Sequence, residues 1–147
     1  MNDIADLYQE LIIDHSSRPR NFKVLDAAHS AEGYNPLCGD RLTVYLRMEG
    51  DVIADVSFQG EGCAISQASA SLMTESVKRT TRVEVEKMFS EFRDLVTGVG
   101  SPDIESLGKL AAFSGLREFP IRVKCGMLGW HTLRAALKHE TAVVSTE

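Results

Sequence analysis

The chain has 147 residues, of which 44% are hydrophobic and 25% charged, the proportions and length of one ordinary globular domain, so disorder and fibrous architectures are excluded. Sixteen Lys and Arg against 21 Asp and Glu leave a net charge of −5, the wrong sign for a surface that must neutralise nucleic-acid phosphates. No apolar run approaches the roughly 20 residues that span a bilayer, and Met1–Asp14 is acidic where a secretion signal would be basic, which makes the cytoplasm the expected compartment and gives a membrane no role.

The spacing of Ile4, Leu7, Tyr8, Leu11 and Ile12 predicts a helix over Asn2–His15 with one buried face, stopped by Pro19. Ser16–Asn35 is turn-rich, with a short strand expected around Ala31–Tyr34. Leu42–Met48 and Val52–Phe58 each alternate apolar and polar residues, and Glu49-Gly50-Asp51 between them reads as a tight reversal, so the two form an antiparallel hairpin. Small and apolar residues recur at helical spacing from Cys63 to Arg79. Thr81-Arg82-Val83-Glu84 fits a capping box that starts a further helix through Val96. Asp103–Phe119 predicts one or two short helices, Pro120 breaks the pattern, and Gly126–Glu140 closes the chain as a helix before a frayed tail at Thr141–Glu147. No repeat or linker divides the chain, so residues 1–147 are expected to be one domain of the α+β class, a small antiparallel sheet of about three strands packed with helices.

Three cysteines cannot all close into intramolecular pairs, which leaves packing, metal binding or thiol chemistry. Cys38-Gly39-Asp40 places two anionic donors on either side of a permissive glycine. Cys63 follows Gly60-Glu61-Gly62 and opens a predicted helix, and Cys125 is expected just before the last helix. A thiol at a helix N-terminus sees partial positive charge that favours the thiolate. Three thiolates and a carboxylate make the four ligands of a closed zinc site, with a hard fourth ligand suited to exchange. Spacing alone leaves the alternative open that each cysteine is a small core hydrophobe.

The sequence around these residues is more specific. Tyr34-Asn35-Pro36-Leu37-Cys38-Gly39-Asp40, Phe58-Gln59-Gly60-Glu61-Gly62-Cys63-Ala64-Ile65-Ser66-Gln67-Ala68-Ser69-Ala70-Ser71 and Arg122-Val123-Lys124-Cys125 resemble the three cysteine blocks of the U-type iron–sulfur scaffold family. Leu7–His15 and Pro19-Arg20-Asn21-Phe22 resemble its first helix and following turn. In IscU-like members a histidine precedes the third cysteine, whereas Lys124 stands there in this chain. The spacer from Cys63 to Cys125 is also longer, with Thr97–Phe113 as the additional segment, and both features are similar to the SufU branch.

That resemblance implies a SufE/IscU-like fold and a zinc-dependent sulfurtransferase that accepts persulfide sulfur from a cysteine desulfurase of the SufS kind and serves downstream iron–sulfur assembly proteins. Cys38 is the implied catalytic acceptor, and Cys38, Asp40, Cys63 and Cys125 are the implied zinc ligands. The alternative is a scaffold holding a labile iron–sulfur cluster on the same four residues. Arg122 is a candidate to position a sulfur-bearing group or to pair with Asp40, against the plainer reading of a solvated surface arginine. His15, His29, His131 and His139 share no ligand block and read as surface or helix packing. Trp130 reads as a core or partner-facing aromatic whose indole wants an acceptor. Gly126, directly after Cys125, is expected to loosen the start of the last helix, and Thr97–Phe113 is expected to contact a partner.

Overall fold

The computed structural model describes residues 3–26, 29–138 and 144–145. Helix α1 (Asp3–Ser17) ends before Pro19 and turns Leu11 and Ile12 toward the core; the side chains of Ile4 and Leu7 lie outside the described part. Strands β1 (His29–Asn35), β2 (Asp40–Glu49) and β3 (Val52–Glu61) form the expected antiparallel set. The sheet has one strand more than expected. Val144–Ser145 pairs with β1 in parallel as β4, giving the order β3-β2-β1-β4. The expectation of a frayed tail therefore fails at Val144–Ser145, where backbone pairing with β1 holds the chain; the rest of the tail and His139 lie outside the described residues.

On β2 the alternation predicted from sequence is realised: Asp40, Leu42, Val44 and Leu46 are buried, and Thr43 and Tyr45 are only half-buried. Each fully buried Leu or Val contributes roughly 1.5 to 3 kcal/mol relative to exposure, enough to fix the strand's register, because a one-residue slip would turn all of them outward. Helices α2 (Ala64–Val77) and α5 (Pro120–Leu137) pack on this sheet and on each other, and α1 covers α2. Helix α3 (Arg82–Thr97) begins with the predicted capping box, in which Thr81 and Glu84 each bond the other's backbone N–H. Asp103–Phe119 becomes a four-residue helix α4 (Ile104–Leu107) and a 3-10 segment (Gly108–Glu118) whose Phe113 stacks edge-on against Phe92.

The last long helix departs from expectation. Pro120 is its first residue, so α5 begins six residues before Gly126. A proline is suited to that position, because its fixed φ matches the helix and its missing N–H has no intrahelical acceptor there. As a result Cys125 lies within α5, not ahead of it.

Candidate metal centre

The β1–β2 connection carries the first two candidate ligands. Asn35 and Asp40 are cross-strand partners that close the reversal over Pro36–Gly39. Gly39 takes φ 73° and donates its N–H to the Asn35 carbonyl at 2.9 Å. This left-handed conformation, cheap for glycine alone, lets the chain turn within four residues. Cys38 is left half-buried on the turn, while Asp40 at the start of β2 is fully buried.

Cys63 stands where the sequence placed it, as the residue capping α2. Its backbone N–H donates to Asp40 Oδ1 at 2.8 Å, and its sulfur lies 4.0 Å from Asp40 Oδ2. Gly62 allows this approach, since a Cβ there would stand 2.8 Å from Asp40 Oδ1. Ser66 closes the α2 side, donating to the Cys63 carbonyl at 3.0 Å with its hydroxyl 3.9 Å from the Cys63 sulfur.

Cys125 is different from the sequence expectation. It sits in the second turn of α5, fully buried, and so does not receive the bare N–H groups of a helix end. Burial pushes its thiol well above the ordinary range, and the neighbouring Cys38, Cys63 and Asp40 push in the same direction. Gly126 beside it does not loosen a helix start either. A Cβ at Gly126 would come 2.7 Å from Leu116 Cδ1, and the Gly126 carbonyl accepts from Ser69 Oγ at 2.6 Å, so its role is close approach of α5 to the 3-10 segment and to α2.

These elements bring the candidates together. Cys125 Sγ lies 3.2 Å from Cys38 Sγ, and the donor atoms of Cys38, Asp40 and Cys125 all fall within 4.8 Å of one another. Cys63 joins through its contact with Asp40. Three thiols and a carboxylate so close would repel one another once ionised, which adds to burial, the larger cause, in raising the Cys125 pKa. A soft divalent cation removes that penalty and holds the thiols deprotonated. The donor set therefore fits zinc, with an iron–sulfur species as the other occupant of matching softness.

Arg122, exposed at the mouth, reaches with Nη1 to 4.0 Å from Cys38 Sγ. Cys125 first, then Cys63 and Cys38, hold its guanidinium still more firmly charged. No ion pair between Arg122 and Asp40 occurs among the described residues. A cleft of about 440 Å³ lined by Cys38, Glu118, Phe119, Pro120, Ile121 and Arg122 opens beside the Pro36–Gly39 turn; Phe119 and Ile121 in its lining are 62% and 64% exposed, and Leu37, next to Cys38 in the turn, is 59% exposed.

The other candidates are structural. His15 is buried with Nδ1 2.7 Å from Ser71 Oγ, His131 stacks edge-on on Phe89, and His29 Nδ1 lies 3.3 Å from the Ala136 carbonyl. Trp130 is fully buried and stacked on Phe92, but its indole N–H has no hydrogen-bond partner among the described residues. Sequence reasoning missed Asn35, which the structure places inside the site with its amide nitrogen against Asp40 and Cys125. Its position directly before Pro36 reads as a turn opener, which hides the contact to a cysteine ninety residues away.

Residues 7–143 match the family model of the NifU-like N-terminal domain. The chain is 38% identical over 94% of its length to the zinc-dependent sulfurtransferase SufU of Bacillus subtilis, covering 94% of that protein. It is 34% identical to the iron–sulfur cluster assembly scaffold protein IscU of Streptococcus pyogenes, over 94% of this chain and 87% of that one. A crystal structure from Fervidobacterium islandicum, described as an iron–sulfur cluster assembly scaffold protein for the SUF system, superposes with a TM-score of 0.82 at 38% identity, covering 87% of this chain and 94% of that one.

Proposed function

This chain belongs to the NifU-like N-terminal domain family of iron–sulfur cluster assembly proteins, and from that premise we propose that it is a zinc-dependent sulfurtransferase, a relay that takes persulfide sulfur from a cysteine desulfurase. The observation that carries the reading is the contrast within one cluster: Cys38 on a partly exposed turn touches Cys125 in the buried interior, 3.2 Å sulfur to sulfur. In this reading Cys38, Asp40, Cys63 and Cys125 hold the zinc. When bound, zinc keeps the thiols deprotonated and lowers their nucleophilicity until a partner arrives.

The chain's own residues supply the rest. With the donor docked, the Cys38 thiolate attacks the terminal sulfur of the donor persulfide; the donor's S–S bond breaks, its inner sulfur leaves as a thiolate, and Cys38 becomes the persulfide with no net oxidation. Arg122, close to the Cys38 sulfur, offers positive charge to the anionic sulfur in transit. Leu37, Phe119 and Ile121 give the apolar rim on which a desulfurase of the SufS kind docks, and the loaded chain then delivers to downstream iron–sulfur assembly proteins.

Similarity to a protein named as a scaffold supports a second reading, in which the same four residues hold a labile cluster. Metal analysis and an absorption spectrum of the native protein separate the two. One zinc and no visible colour is the result expected of a relay; iron with visible absorption is that of a scaffold. Cys38→Ala is expected to abolish persulfide transfer from a desulfurase, and undiminished transfer would reject the relay.

A further inference from the structure

We propose that Asn35 is a positioning residue of this centre: its carboxamide clamps Asp40 and Cys125 together as the fixed half of the site and leaves Cys38 as the half that moves. The inference rests on reading the site as a zinc centre. Asn35 is fully buried, and burying a carboxamide costs free energy unless its hydrogen-bonding capacity is used. Here it is used on both sides. Oδ1 accepts from the Leu37 N–H at 3.3 Å, which fixes the amide's orientation from the hydrogen-bond network. Nδ2 consequently faces the site, 3.2 Å from Asp40 Oδ2 and 3.4 Å from Cys125 Sγ. An amide nitrogen carries two hydrogens, one for each of these acceptors.

Both bonds act on ligand lone pairs. Asp40 Oδ1 is already engaged by the Cys63 N–H, so with Asn35 on Oδ2 the carboxylate is held at both oxygens and cannot rotate away. The bond to Cys125 draws electron density from that sulfur, making it a poorer nucleophile and a more strictly structural thiolate. The Cys38 sulfur receives no bond from Asn35, only the long approach of the exposed Arg122 Nη1 and the contact of the Cys125 sulfur itself. Asn35 holds only backbone on either side of Cys38, the Leu37 N–H through Oδ1 and the Gly39 N–H through its carbonyl, so the turn is anchored at its root while the Cys38 side chain remains free to leave. A leucine of similar size cannot donate, and an aspartate would set a second carboxylate against Asp40.

The test compares the wild type with Asn35→Leu and Asn35→Asp, both close in size and both lacking the donor. Zinc(II) affinity is measured by competition with a chromophoric chelator, ligand geometry by the d–d bands of the cobalt(II)-loaded protein, and folding by far-ultraviolet circular dichroism. Losing an outer hydrogen-bond partner of a ligand weakens metal binding by about ten- to a hundredfold, and that loss, with shifted cobalt bands and an unchanged dichroism spectrum in at least one variant, is the expected result. Zinc affinity and cobalt bands indistinguishable from wild type in both variants overturn the assignment. So does a variant that loses secondary structure yet binds metal as the wild type does, because Asn35 is then a fold residue alone. A wild type that takes up no zinc defeats the zinc reading itself, which separates that failure from this one.

Discussion

Cys38 and Cys125 are the same residue type in sulfur contact, yet the chain presents them from opposite kinds of structure. Cys38 rides a four-residue turn that depends on the positive φ of Gly39, with open cleft on one side. Cys125 is fixed in the second turn of a long helix, fully buried, with Asn35 bonded to its sulfur. The difference teaches that a cluster of candidate ligands can be built half from a rigid helix and half from a short turn, an arrangement that, in the proposed reading, would let one ligand exchange without the others loosening.

The sharpest way to break this comparison is chemical. Burial and a raised pKa both deplete the reactive thiolate at Cys125, whereas Cys38 is partly exposed. In metal-stripped protein, iodoacetamide is expected to modify Cys38 faster than Cys125 by at least about a hundredfold, since the buried sulfur reacts only through local opening. The three cysteines fall in separate tryptic peptides, so mass spectrometry reads each rate directly. Equal rates would erase the distinction between a mobile and a fixed ligand.

The two glycines beside these cysteines sharpen it at smaller magnitude. Gly126→Ala places a methyl 2.7 Å from Leu116 Cδ1, an overpacking expected to cost about 1 to 3 kcal/mol of stability in denaturant titration. Gly39→Ala meets no atom within 4 Å, and costs only the left-handed backbone, about 1 to 2 kcal/mol. The readouts diverge elsewhere. The strain at position 39 falls between Cys38 and Asp40 and is expected to weaken zinc binding, while the change at 126 is expected to spare it in the protein that remains folded. Zinc affinity lowered equally in both variants would mean that the turn has no independence from the helix.

Much of this contrast was legible in the sequence, and what escaped did so for physical reasons. The β2–β3 hairpin, the capping box at Thr81 and the placement of Cys63 at a helix start follow from local periodicity and local hydrogen bonding, and the structure has all three. The start of α5 was not legible, because Pro120 reads equally as a stop or as a first residue, and local sequence does not choose between them; in the structure it is the first residue of the helix. Gly126 misled for a related reason: propensity sees the entropy a glycine loses, and tertiary structure sees the space that Leu116 and Ser69 require. Asn35 could not be found from spacing at all, since its partners Asp40 and Cys125 are joined only by the fold.

The smallest effect concerns a residue outside both halves and measures how independent they are of the scaffold. His15 ties α1 to α2, with Nδ1 2.7 Å from Ser71 Oγ and Nε2 3.7 Å from Glu75 Oε1. Burial holds its imidazole below the ordinary value of 6.5, with Arg20 and Lys109 acting the same way and Glu75 and Asp14 opposing. The unfolded chain therefore binds a proton at this position at a pH where the folded one does not. Stability from this group is level above pH 6.5 and falls as pH drops from 6.5 toward the lower folded value. Asp14 acts in a separate window: Arg20 and Arg18 lower its pKa from 3.8, so its contribution is lost only at still more acid pH. His15→Gln is expected to flatten the upper slope in urea titrations while leaving the Cys38 to Cys125 reactivity ratio unchanged. A retained slope would assign it to another group, and a changed ratio would show that the seat of α1 on α2 reaches Cys63 and, through Asp40, the exchangeable half of the site.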